Sequence, residues 1–87
     1  MANKSLTERK YDTLREIIRV NVKSVRNRRG YTQEKLGEIS GLGRIRIVEI
    51  EGGRYCPTIQ TLNTLAIALG IEVYQLLTPS PDEIKLT

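Results

Sequence analysis

Between Arg19 and Arg54 the chain carries nine Lys/Arg side chains: Arg19, Lys23, Arg26, Arg28, Arg29, Lys35, Arg44, Arg46 and Arg54. The same span holds four carboxylates, Glu34, Glu38, Glu49 and Glu51, for a local balance of +5. The whole chain is +4, so the rest contributes −1. Clustered guanidinium and ammonium groups are the footprint of a polyanion binder. They also suit a surface that is merely solvated, and charge alone leaves both readings open. Catalytic chemistry is poorly provided for. There is no histidine and one cysteine, Cys56, which leaves almost nothing for a nitrogen/sulfur metal site or a histidine base. No nucleophile–base pair or phosphate-cradling loop stands out. No enzyme, metal, cofactor or small-molecule substrate is expected.

A chain of 87 residues has room for one domain with one modest core, marginally stable unless a partner subunit adds to it. With 39% hydrophobic and 28% charged residues, disorder throughout is not expected. No apolar run approaches the roughly 20 residues that span a bilayer. The start, MANKSLTERK, lacks the apolar stretch of a signal peptide, and a single cysteine suits a reducing compartment. A cytoplasmic protein without a membrane partner is the expectation.

Glycine and proline punctuate the chain, and the pieces between them carry helical rather than strand periodicity. The first piece runs from about Ser5 to Arg29. Ser5 and Glu8 have the form of a capping box, and Leu14, Ile17, Ile18, Val22 and Val25 form an apolar stripe. Basic residues crowd its last turns, which suits the helix dipole, and Gly30 ends it. A second helix opens at Thr32, turns Leu36 and Ile39 inward, and stops near Ser40-Gly41. A third runs from about Gly43 to Glu51, with Ile47 and Ile50 inward, and Gly52-Gly53 closes it. After the loop Arg54-Tyr55-Cys56-Pro57, Thr58 caps a fourth helix to Leu69, with Ile59, Leu62, Leu65, Ala66 and Leu69 as its apolar face. A last short helix spans about Glu72 to Leu77. The tail TPSPDEIKLT has no periodic pattern and reads as loose over 78–87.

The two short helices joined by Ser40-Gly41-Leu42-Gly43 are the central feature. A short turn containing glycine lets two helices cross steeply, as in a helix-turn-helix. The second helix is then exposed along one face and can enter the major groove. That face carries Arg44, Ile45, Val48 and Glu49, with Arg46 towards its flank.

The stretch from Tyr31 to Ile71 resembles the Cro/cI-type, or XRE, helix-turn-helix family. The family's ordered motifs are met by Thr32-Gln33-Glu34, Gly41, Ile50-Glu51-Gly52-Gly53, Pro57-Thr58 and Ala66-Ile67-Ala68-Leu69-Gly70-Ile71, and Arg26 and Gly30 also fit. Each piece is weak, but their order over residues 18–77 is specific. The resemblance implies an all-α, compact five-helix, lambda-repressor-like domain over 18–77, with an N-terminal extension of the first helix over 1–17. It also implies a double-stranded DNA partner, usually met as a homodimer, and a role in transcription.

Roles follow by position. Arg44 opens the recognition helix, where a guanidinium can reach guanine O6 and N7 with two hydrogen bonds. Ile45 stands where such proteins often read bases and can touch a thymine methyl. Glu49 can accept from cytosine N4 or orient Arg44 or Arg46, and Arg46 meets a neighbouring base or a phosphate. The resemblance places Gln33 on the phosphate backbone, assisted by the amide groups at the helix start beside Thr32. Gly43 stands where a phosphate-touching Ser or Thr cap is usual. Arg54 and Tyr55 fit further backbone contacts, and Arg28 and Arg29 add to them. Arg26 and Glu51 are implied to form a structural ion pair. Gly37 replaces the usual Ala, at roughly 0.5–1 kcal/mol of helix stability, and either permits close packing or loosens the motif. The dimer surface is expected at Ile71, Val73, Tyr74 and Leu77, with Ile84 as a further candidate. A competing reading is an antitoxin or interaction module with the same fold and a protein partner. The basic recognition face favours DNA.

Overall fold

The computed structural model describes residues 5–86, and of residues 7–12 the backbone alone. The pairing expected between Ser5 and Glu8, and residues 1–4 of the expected extension, lie outside what is described. Five helices follow one another: α1 (Leu6–Arg28), α2 (Gln33–Ser40), α3 (Arg44–Glu51), α4 (Ile59–Leu69) and α5 (Val73–Leu76), then a 3-10 turn over Pro81–Glu83. No strand occurs among the described residues.

The helix ends are set by the residue types that predicted them. The Thr32 hydroxyl accepts from the Lys35 amide at 2.9 Å, and the Thr58 hydroxyl accepts from the Thr61 amide at 3.1 Å, each satisfying one orphan donor of a first turn. Gly41 and Gly70 close α2 and α4 in the left-handed conformation.

Helices as short as α2 and α3 hold only through packing. Ile18, Val22 and Val25 of α1, Leu36 of α2, Ile47 and Ile50 of α3, and Leu62, Leu65, Ala66 and Leu69 of α4 form one core with Leu76 of α5. Each large side chain so buried contributes about 1.5–3 kcal/mol relative to exposure. Asn21, also fully buried, works as a staple. Its Nδ2 donates to the carbonyls of Leu76 and Thr78 at 2.8 and 2.7 Å, fastening the end of α5 to the middle of α1.

Several expectations are corrected. The tail is not without structure: Ile84 is 3% exposed within the core, and Leu86 packs against it. Two apolar side chains after a proline turn, with hydrogen bonds to the Thr78, Pro81 and Lys85 carbonyls, anchor a segment that lacks any period. Ile84 is therefore spent inside the monomer and not on a dimer face. Ile59, counted on the inner face of α4, is 82% exposed. It stands in the first turn of α4, beyond the reach of the elements that cover Leu62 and Leu65. Ile39 and Leu14 are likewise exposed.

Candidate nucleic-acid interface

The turn between α2 and α3 is built from backbone. Gly41 and Gly43 both take positive φ, at 76° and 87°, a region other residues enter only with strain. The Gly43 amide donates to the Gly37 carbonyl at 3.0 Å. A β-carbon at Gly37 would stand 2.5 Å from the Arg44 nitrogen and the Gly43 carbonyl carbon. Gly37 thus permits close packing of α3 on α2, one of the two outcomes its presence allowed. No side chain caps α3, so the first amides of this helix keep their donors for another acceptor.

Ile47 and Ile50 plunge into the core and fix the rotation of α3. Arg44 and Ile45 consequently project outward side by side, and Ile45 is 74% exposed. Val48, expected on the outer face, is half-buried. Arg46 and Glu49 are tied together rather than left as two independent reading groups. Their charged ends lie 3.6 Å apart, and the Arg46 guanidinium sits 3.8 Å from the centre of the Tyr55 ring. Arg46, Glu49 and Tyr55 form a brace along the flank of α3, within the range of a cation–π contact.

Beneath the site lies the ion pair of Arg26 and Glu51. Two parallel bonds, 2.6 Å from Nε and 2.9 Å from Nη2, join the guanidinium to the carboxylate, and both side chains are buried. The third face of Arg26 donates to the Tyr31 carbonyl at 2.7 Å. Gln33 joins the same network, its Nε2 donating to Glu51 Oε1 at 3.3 Å. This locks α1, the start of α2 and the end of α3 into one frame. A buried pair of this kind adds little net stability, although removing one partner alone is costly.

Beside that frame is a cleft of about 430 Å³ lined by Lys23, Arg26, Gln33, Val48, Glu51, Gly52 and Arg54. Arg54 is exposed on the loop after α3, next to Tyr55. Gln33, Arg54 and Tyr55, residues expected at phosphate, therefore lie around α3, Gln33 on Glu51 and Tyr55 on Arg46. Arg28 and Arg29 do not. Arg29 donates from Nε to the Leu69 carbonyl at 2.9 Å and from Nη2 to the Gly70 carbonyl at 3.2 Å, capping the end of α4. Arg28 reaches the Pro81 carbonyl at 3.3 Å. The carbonyls at a helix end attract cations, and here they draw away a residue that sequence alone offers to phosphate. One participant escaped the sequence reading. Arg15 Nη1 donates to the Gly53 carbonyl at 3.2 Å, a contact across 38 positions with no local signal.

Of the residues expected on a dimer face, Ile71 and Val73 are half-buried against the core, whereas Tyr74 and Leu77 are 69% and 38% exposed. No helix among the described residues is long and apolar enough to cross a membrane.

A family model described as helix-turn-helix matches residues 22–76. The chain is 33% identical over 73 residues to a hypothetical transcription factor of Neisseria meningitidis serogroup B, covering 84% of this chain and 69% of that protein. It is 45% identical over 65 residues to the control protein C.SmaI of Serratia marcescens, covering 75% and 77%. Among solved structures, that of a hypothetical transcription factor from Neisseria matches with a TM-score of 0.75 at 32% identity, covering 79% of each chain.

Proposed function

The chain belongs to the XRE-type helix-turn-helix family of DNA-binding transcription regulators, which are not enzymes, and we propose that it recognises a specific duplex sequence as a homodimer in the cytoplasm. Arg44 and Ile45 read base edges in the major groove, the arginine taking a guanine and the isoleucine a thymine methyl. Gln33, Arg54, Tyr55 and the amides beside Thr32 and Gly43 hold the sugar–phosphate rails. Arg46 and Glu49, stacked and paired on Tyr55, position the helix and reach the edge of the site. Two copies joined through Tyr74 and Leu77 place two recognition helices about one DNA turn apart, so the site has two-fold symmetry.

The observation that carries this reading is the exposure of Arg44 beside a 74% exposed Ile45 on a helix whose rotation Ile47 and Ile50 fix from within. An outward apolar side chain there has little structural reason to be present. Selection of bound sites from random duplexes tests it. The expected result is a palindromic site with a guanine in each half. Arg44→Ala relaxes preference at that base pair, by about 1–3 kcal/mol of discrimination, while Arg54→Ala weakens all sequences alike. An equal loss on every sequence for Arg44→Ala overturns the assignment.

A further inference from the structure

We propose that α1 supplies a second sugar–phosphate track, in which Arg19 and Lys23 continue the grip of Arg54 along the DNA flanking the half-site, while Arg15 pins the loop that joins them. It rests on the DNA-binding reading above. Arg15, Arg19 and Lys23 recur every four residues, so they form one row along α1, about 6 Å apart in axial rise. The row meets the loop after the recognition helix. Arg15 holds the Gly53 carbonyl. The Cδ of Arg19 lies 3.4 Å from where a β-carbon on Gly53 would stand, so the arginine stem lies against the loop. Lys23 shares one cleft with Gln33 and Arg54, two of the side chains given phosphate contacts above. An exposed cation on α1 thus lines the same cleft as the expected phosphate ligands from the start of α2 and the loop after α3.

Glu16 pairs with Arg19 and offsets one charge, leaving the row of Arg15, Arg19 and Lys23 at +2. Arg15 and Arg19 precede residues 22–76, the part that matches the family model, and Lys23 lies just inside it, so the track begins in this chain's long first helix and runs into the helix-turn-helix core. The ligand it fits is the phosphodiester backbone of the same duplex, a regular polyanion with about one charge per 1.7 Å of axis. Contacts of this kind carry no base preference and show instead as salt dependence and footprint length.

The test compares the full chain with Arg19→Gln/Lys23→Gln on a duplex carrying the selected site and on a random-sequence duplex, across a range of salt. In the double variant the slope of log affinity against log salt becomes shallower by about 1.8, and by about 0.9 in Lys23→Gln alone. The loss is equal on both duplexes and base preferences stay the same. Trimming the flanking DNA by about 5 base pairs, half a turn, weakens the parent and leaves the double variant unaffected. An unchanged slope, or the same trimming penalty in both proteins, overturns the track alone. Failure of the parent to bind any duplex overturns the functional reading and the track with it.

Discussion

The Gly43 amide donates to the Gly37 carbonyl across 3.0 Å, so the entry to the recognition helix is fastened to the backbone of the helix before it, with no side chain between.

That contact inverts the usual expectation for glycine in a helix. Gly37→Ala should gain about 0.5–1 kcal/mol from helix propensity. The added methyl would instead stand 2.5 Å from the Arg44 nitrogen and the Gly43 carbonyl carbon, which are backbone atoms that cannot swing aside. Overpacking of this kind costs about 1–3 kcal/mol, and relief requires the start of α3 to move. Gly37→Ala is expected to lower the thermal midpoint and to blunt discrimination at the base pair facing Arg44. A rise in midpoint with unaltered specificity would show that the turn is not held this tightly.

Much of this arrangement could be read from residue types. Thr32, Gly41, Thr58 and Gly70 sit where the helices begin and end, because capping is local chemistry. The outward direction of Ile45 followed from the inward direction of Ile47 and Ile50. What escaped the sequence was tertiary. Nothing local distinguishes Arg29, which caps α4, from Arg54, which stays exposed. Asn21 reads as a polar interruption in an apolar stripe, yet it is buried against the carbonyls of α5 and the tail. Helical periodicity gives the face of α4 but not how far its cover extends, which is why Ile59 reads as inward yet is exposed.

The Arg26–Glu51 pair yields a prediction with two arms. Glu51→Gln leaves a buried guanidinium without its counter-charge, at a cost of about 3–5 kcal/mol by urea unfolding. Replacing both partners with Arg26→Met and Glu51→Leu removes the uncompensated charge. The double variant should therefore be more stable than Glu51→Gln, while short of the parent because the Tyr31 carbonyl and Gln33 also lose partners. A double variant no better than the single one would mean that local bonding, and not charge burial, sets the cost.

Tyr55 separates stacking from hydrogen bonding. Tyr55→Phe keeps a ring under Arg46 and removes only the hydroxyl, so discrimination should be retained while every duplex is bound more weakly. Tyr55→Leu removes the stack. A double-mutant cycle of Tyr55→Leu with Arg46→Met should return a coupling of about 0.5–1 kcal/mol, the range for an exposed cation–π contact. Zero coupling would place the two side chains apart in solution.

Tyr74 and Leu77 are the large apolar side chains of the α5 region that the core does not consume, unlike Leu76 between them. A stable interface needs about 800 Å² from each partner, so charge at its centre should be disabling. Tyr74→Lys with Leu77→Lys is expected to shift the sedimenting mass to that of a monomer. Affinity for a palindromic site should then fall to that for an isolated half-site, with the base preferences of each half intact, because Arg44 and Ile45 lie on a separate element. The two effects must appear together. A monomeric variant that still binds the full site like the parent would show that each half is read independently. An unchanged mass would move the interface elsewhere, and the exposed Ile67 of α4 is the next surface to charge.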